Sequence, residues 1–296
     1  MKIFDCFMYF DEDVILDVRL NTLDKYIDYF VIVESSFTHK GEKRNLNFDL
    51  KNFSKFKDKI IYLVYDKQPD EIKNINEKDT EEEKSVKYIL NAIYRENGQR
   101  NLISEGLNIA AENDVILISD VDEIPNLEKV NFNNFNEKLF FFNQEMFYYK
   151  FNLKLPNFNW VGTKSCRKKN LISPQWLRNI KDRNYPFYRI DIFFSKNKYS
   201  NIKFIDNGGW HFTNIKSPEE IRHKLSSYLH HREFEINPLS IYEIENLIKN
   251  KKAIYDLTID KKNQKIGDGE ILEKYELNKL PSYINSNLEK FKKWID

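Results

Sequence analysis

The chain is poor in the residues that build special scaffolds. Among 296 residues there are two cysteines, Cys6 and Cys166. One possible bridge does not make a disulfide framework, and no Cys-x-x-Cys spacing offers a zinc or redox site, so both are read as buried, reduced thiols. Glycine and proline number 8 each, which excludes collagen-like and linker-dominated chains. An excess of either charge is also missing. With 47 Lys+Arg against 46 Asp+Glu, the basic surplus that meets nucleic-acid phosphates is absent, and no nucleic-acid partner is expected. No stretch approaches the ~20 uncharged apolar residues of a membrane span. The opening MKIFDCFMYFDED is interrupted by Asp5 and Asp11 and is too short for a signal peptide. The expectation is a soluble, cytoplasmic chain without a transmembrane segment. Phosphate-loop, Gly-x-Gly-x-x-Gly and Gly-x-Ser-x-Gly patterns are missing too, which counts against P-loop, nicotinamide and α/β-hydrolase chemistry.

What is abundant is large apolar surface. Aromatic residues make up 15% of the chain, with 23 Phe and 17 Tyr, enough to bury a substantial core. Strand-like and helix-like patterns alternate through the first half. Residues 2–10, 28–33, 59–65 and 114–119 read as buried strands. Leu16, Leu20 and Leu23 mark a helix from Asp13 to about Lys25. Val86, Ile89, Leu90, Ile93 and Tyr94 mark another, with Gly98 as its expected break and Ile103, Leu107, Ala110 and Ala111 as a following helical face. Such alternation predicts βαβ units, a mostly parallel sheet flanked by helices, and a ligand beyond the carboxyl ends of the strands.

The second half is less regular. Residues 139–151, 187–195 and 202–206 read as strands, and Gly208-Gly209 as a turn before Trp210-His211-Phe212. Ser217-Pro218-Glu219-Glu220 is a capping-box pattern that starts a helix with Ile221, Leu225, Tyr228 and Leu229 on its apolar face. A further helix starts near Ser240. His230 and His231 are placed at a helix end, where the dipole favours a cation. The expected organisation is a catalytic domain over 1–215 with a helical annex over 216–296 packed on it.

The densest chemical signal is ISDVDEIP, residues 118–125. Two carboxylates at i and i+2, on a turn directly after a buried strand, can both face a cleft. Hard divalent ions such as Mg²⁺ or Mn²⁺ take oxygen ligands of this kind and complete their shell with water and substrate phosphates. The plain alternative is a solvated acidic turn. His211, after the glycine turn, is a candidate third ligand beside Asp120 and Asp122; its plain alternative is a core histidine between aromatics. Glu34 lies at the end of the second strand and is a candidate for uridine or ribose. Asp120 is a candidate for ribose as well as metal, and Lys43 and Arg100 are candidate phosphate cations. For the base that takes a proton from an attacking hydroxyl, the candidates are Asp191, Glu145 and Glu123. Trp160 and Trp210 are candidate sugar platforms, with a core role as the alternative for each.

On these blocks the chain resembles glycosyltransferase family 17, the family of the β-1,4-mannosyl-glycoprotein 4-β-N-acetylglucosaminyltransferase. The resemblance rests on Glu12 and Arg19, on FVIVESSFTHKGEKRNLNF at 30–48, on DVILISDVDEIP at 114–125 and on GGWHF at 208–212, in order, over about residues 1–230. It implies a GT-A-like fold, a nucleotide-sugar donor such as UDP-GlcNAc, Mn²⁺ or Mg²⁺, inversion at the anomeric carbon and a glycan or glycoconjugate acceptor. Two rival functions stand beside it. One is a phosphatase-like hydrolase using the Asp-x-Asp; the other is a non-catalytic glycan-binding module.

Overall fold

A computed structural model describes residues 1–228, 231–255, 267 and 269–296. Apolar runs in the first third form three parallel strands, β1 (Ile3–Tyr9), β2 (Tyr29–Ser35) and β3 (Ile60–Tyr65). Helix α1 (Asp13–Leu23) follows β1 and buries Ile15, Leu16, Val18, Leu20 and Leu23. Helix α2 (Glu81–Gly106) starts on a capping box between Thr80 and Glu83 and leads into β4 (Val115–Asp120), which lies parallel to β1. The spatial order β3-β2-β1-β4 reverses direction between β1 and β4, the switch point at which sheets of this kind take a ligand beyond the carboxyl ends of the strands.

Helix α2 runs unbroken through Gly98, contrary to the expected break. A glycine is required there because a Cβ would lie 2.2 Å from the Tyr65 hydroxyl oxygen on β3. The absent side chain brings helix and sheet together.

From β4 onward the sheet changes character. Strand β5 (Glu123–Pro125) is short, and β6 (Leu139–Tyr148) returns as β7 (Leu153–Arg167) through a tight turn at Tyr149, whose φ is 63°. Strands joined so closely must run antiparallel. Strand β7 therefore pairs antiparallel with both β6 and β4, while β8 (Ile202–Ile205) and β9 (Gly209–Thr213) run parallel to β6. Strand β5 closes the order against β9, and β10 (Glu273–Lys274) pairs with β7. The 10-stranded sheet is thus mixed, which corrects the expectation of a mostly parallel one.

Helix α3 (Pro174–Asn179) follows β7. The run 187–195, expected as a strand, is instead a loop with a helical turn at Ile190–Ile192. Its apolar residues alternate with Arg189 and Asp191 but find nothing to pack on, and Phe193 is 78% exposed. The Ser217 capping box forms as expected at α4 (Pro218–Ser227), followed by α5 (His231–Ile236) and α6 (Ile241–Lys249). These helices pack Ile221, Leu225 and Ile244 on Met146, Tyr148 and Leu153 of the β6–β7 hairpin. On the opposite side Ile284, of α7 (Ser282–Asn285), joins the core under α1. Leu229 and His230 lie outside the described residues. His231 opens α5 rather than ending a helix, and it is buried with Nδ1 2.9 Å from the Tyr228 carbonyl oxygen. Burial lowers its pKa, so it is no dipole-capping cation. Cys6 and Cys166 are free and buried in one apolar cluster, as the composition suggests, and burial pushes the Cys166 thiol up to about 12.

At Gly209 one strand's backbone lies close against another's. The glycine's φ is +130°, and a Cβ there would meet the Ile124 carbonyl oxygen at 2.1 Å. Gly209→Ala is expected to cost about 1–3 kcal/mol in urea denaturation, the usual scale for forced backbone strain. A variant as stable as the parent would contradict this close contact.

Candidate functional site

The acidic turn between β4 and β5 is built around a cation that sequence reading did not single out for itself. Arg19, on the buried face of α1, is 0% exposed. Its Nε and Nη2 donate to the two carboxylate oxygens of Asp5 on β1, at 2.8 and 2.6 Å. Nη2 also donates to Ser119 Oγ at 2.6 Å. Nη1 donates to the carbonyls of Asp120, Val121 and Glu123, at 3.1, 3.1 and 2.8 Å. Converging carbonyls repel one another; a guanidinium among them removes that cost and turns the acidic side chains the other way.

Asp120 accepts from Arg100 at 3.0 Å through one oxygen and from Arg178 at 3.1 Å through the other. Burial alone would raise its pKa, but Arg178 and Arg100 outweigh it and hold the carboxyl below its ordinary range. Glu123 is fully enclosed. It accepts from both Arg178 Nη atoms, at 2.8 and 3.0 Å, from Trp160 Nε1 at 2.6 Å and from the Asp120 amide at 2.9 Å. Arg178 is desolvated as well, yet Glu123 and Asp120 raise its pKa. Asp122 faces a different pair, with His211 Nε2 at 3.5 Å and Lys224 Nζ of α4 at 3.6 Å. Burial opposes its ionisation; Lys224 and His211 reverse that and lower its pKa. Burial likewise depresses His211, and the Asp122 carboxylate beside it raises it overall. The amide of Phe212 donates to the Asp122 carbonyl at 2.8 Å, and Glu123 pairs with His211 in the β5–β9 ladder. The strands themselves therefore bring the acidic turn and the histidine together.

The other candidates lie elsewhere. Glu34 is buried at the end of β2 and accepts from Arg44, the amides of Asn47 and Phe48, and Tyr62, at 2.7–3.1 Å. It organises the loop after β2 rather than facing the crevice bare. Lys43 is exposed on that loop, at the Phe37–Lys43 bridge. Glu145 pairs with Lys154 at 2.8 Å and, with Trp210, lines a cavity of about 470 Å³. Side chains alternate across a strand, so Trp210 and His211 project from opposite faces of β9, and Glu145, in register with Trp210, lies on the face away from Asp122. Asp191 sits on the exposed 187–195 loop between Arg189 and Lys198, at 2.9 and 2.7 Å. None of the three base candidates is thus presented bare to the acidic turn. Trp210 is buried, with Nε1 donating to the Lys279 carbonyl at 3.1 Å. Trp160 is half-buried, with its ring centroid 5.2 Å from that of His211.

The donor set fits a divalent ion in a limited way. Among the described residues no group of three or more His, Cys, Asp and Glu converges on one point. Asp122 and His211 form a pair, and His211 Nδ1 is buried without a hydrogen-bond partner. A divalent ion would take Nε2 in its neutral form, displacing the proton that the Asp122 carboxylate favours there. Two protein ligands suit Mg²⁺ or Mn²⁺, which keep several positions for water and phosphate oxygens. Asp120 is less suited to direct ligation, since both its oxygens are engaged by arginines.

Arg19, Arg178 and Lys224 are the parts that local pattern does not reveal as site residues. Arg178 stands in an undistinguished segment. Lys224 carries the one available signal, as a lysine two turns into a capped helix just after the His211 strand.

These features define an α/β enzyme with an ion-paired acidic turn at the crevice between β1 and β4. The chain belongs to glycosyltransferase family 17, whose family model it matches over residues 1–295, and it is a glycosyltransferase. No curated protein matches it. Family membership decides for sugar transfer over the hydrolase and glycan-binding alternatives.

Two outcomes follow from the geometry. Arg19→Ala leaves Asp5 buried and unpaired, so a loss of about 3–5 kcal/mol is expected in chemical denaturation; a loss under about 1 kcal/mol would show that the pair does not hold the turn. The raised His211 pKa means that its ion pair with Asp122 stabilises the fold fully below the ordinary histidine value near 6.5 and is lost as pH rises through the folded value. The His211 imidazole resonance should titrate above that ordinary value in NMR. Titration below it would contradict the pairing.

Proposed function

We propose that the protein transfers a sugar, with UDP-GlcNAc as the favoured donor, to a glycan hydroxyl with inversion at the anomeric carbon, on a GT-A-like scaffold. The single observation that carries this reading is the position of Asp122 and His211. They stand side by side beyond the strand ends, with Nε2 toward the carboxylate at the 3.5 Å separation given above. These two residues would hold Mn²⁺ or Mg²⁺. A bound ion would neutralise charge that builds on the diphosphate as it leaves.

The chain's own residues suit the remaining tasks. Lys224 faces the acids of the turn and is kept protonated; burial disfavours its charge, and Asp122, Glu12 and Asp11 restore it. It supplies a fixed cation for a phosphate oxygen. The side chain of Asp120 is 40% exposed although both oxygens are paired, so it can reach a ribose hydroxyl while Arg100 and Arg178 fix its rotamer. Glu123 holds Arg178 and Trp160 in place. The half-buried Trp160 ring, beside His211, offers an apolar face to a sugar. A divalent ion and a diphosphate arrive with opposite charges, so the near balance of acids and cations at the site is preserved on binding.

The test is a melting-shift screen of nucleotide sugars with and without Mn²⁺, followed by a transfer assay on the hit. UDP-GlcNAc should stabilise the protein by about 2.7 kcal/mol at a hundredfold excess over its dissociation constant, and only with the metal. Asp122→Ala should lower kcat at least ~100-fold while the circular dichroism spectrum is unchanged. Undiminished transfer in that variant, or equal stabilisation without metal, overturns the assignment.

A further inference from the structure

Between α3 and β8 the chain puts large apolar side chains into solvent. Phe187, Tyr188, Ile190, Phe193 and Phe194 are 73–85% exposed. Elsewhere among the described residues the most open aromatic side chain is Tyr242, at 70%. Isolated exposed apolar groups need no explanation, but a cluster of this size on a short projecting loop does.

The base of the loop is ordered by polar contacts. The Tyr185 amide donates to the Tyr199 carbonyl at 2.9 Å, and the Lys181 amide to the Asn197 carbonyl at 2.8 Å. Around the buried Tyr185 ring stand three cations, Arg183, Arg189 and Lys198, at 4.7, 5.5 and 5.7 Å from its centroid. Asp191, the acid within the apolar stretch, is held by Arg189 and Lys198. Asp182 is held from below by Lys164 at 2.6 Å. The loop therefore has an apolar tip, no unpaired acid, and a collar of positive charge beneath.

We propose that this loop docks the protein on an anionic phospholipid surface, the apolar tip entering the interface and the Arg183–Arg189–Lys198 collar meeting the headgroup phosphates. Rings and aliphatic groups beside arginine and lysine are the composition that lies at a bilayer boundary, where burial of apolar area and attraction to anionic lipid add. A second copy of the chain would bring the same patch, whose acids Asp182 and Asp191 are already paired and offer the collar no anion. No described helix is long and apolar enough to cross a membrane; the proposed contact is made by the loop. The inference does not rest on the donor or metal assignments, and its test needs no transfer activity.

The experiment is co-sedimentation of the full chain with phosphatidylcholine vesicles, with and without phosphatidylserine. The protein should pellet with the phosphatidylserine vesicles and remain in solution with phosphatidylcholine alone at moderate salt. Phe193→Asp combined with Phe194→Asp should abolish pelleting at unchanged melting temperature. Arg183→Ala should weaken it about fivefold, and added salt should weaken it further. If the aspartate variant is poorly folded, Phe193→Trp replaces it as the readout, with an emission blue shift expected on phosphatidylserine vesicles. No pelleting and no blue shift with phosphatidylserine vesicles overturns the proposal. So does a lipid-free dimer that dissociates in the aspartate variant, which would assign the patch to a second copy.

Discussion

The structure depends on one buried ion pair. Arg19 and Asp5 are both excluded from water, and each would be costly alone. Joined, they leave guanidinium N–H groups over, and these hold the carbonyls of the acidic turn. The pair links β1, α1 and the β4–β5 connection at one point. The carbonyls of Asp120, Val121 and Glu123 face Arg19 and that of Asp122 is taken by the Phe212 amide, so the carboxylates of Asp120 and Asp122 turn the other way. A site that gathers several carboxylates is stable only if its backbone cannot relax to separate them, and this internal cation is what prevents it.

A second layer of charge sits on the outer side of the same turn. Glu123 is enclosed and ties Arg178 to the indole of Trp160, while Arg178 passes its other contact to Asp120. Asp122 is separate from that network and faces His211 and Lys224. The two aspartates of one short motif therefore lie in different surroundings, one clamped by arginines and the other facing a histidine and a lysine. Sequence spacing treats them alike. Their partners come from α2, α3, β9 and α4, and only the fold distinguishes them.

The parts of the fold that could be read from sequence are those set by local pattern. The apolar runs of β1 to β4 are bounded by charges, and the Ser217 capping box announces its helix. Strand β7 was not legible, because Pro156, Asn157 and Gly162 resemble turn residues; register shifts between β6 and β7 accommodate the irregularity. Gly98 looked like a helix end when its role is contact with Tyr65. At the site, the Asp-x-Asp turn and His211 stand out by residue type and position. The enclosure of Glu34 and Glu123 depends on side-chain partners 10 to 55 residues away, and no spacing shows it. The 187–195 run was misread for a related reason, since apolar content without a burying partner does not make a strand.

The unbroken course of α2 has a mechanical consequence. Arg95 donates to the carbonyls of His39 and Lys40, in the loop after β2, while Arg100 on the same helix holds Asp120. The two anchor points are about 7.5 Å apart along a rigid rod. A hinge at Gly98, between them, would have let each side settle independently. Because there is none, the 36–48 loop and the acidic turn share one lever arm, and a displacement at one end is transmitted to the other as a rotation.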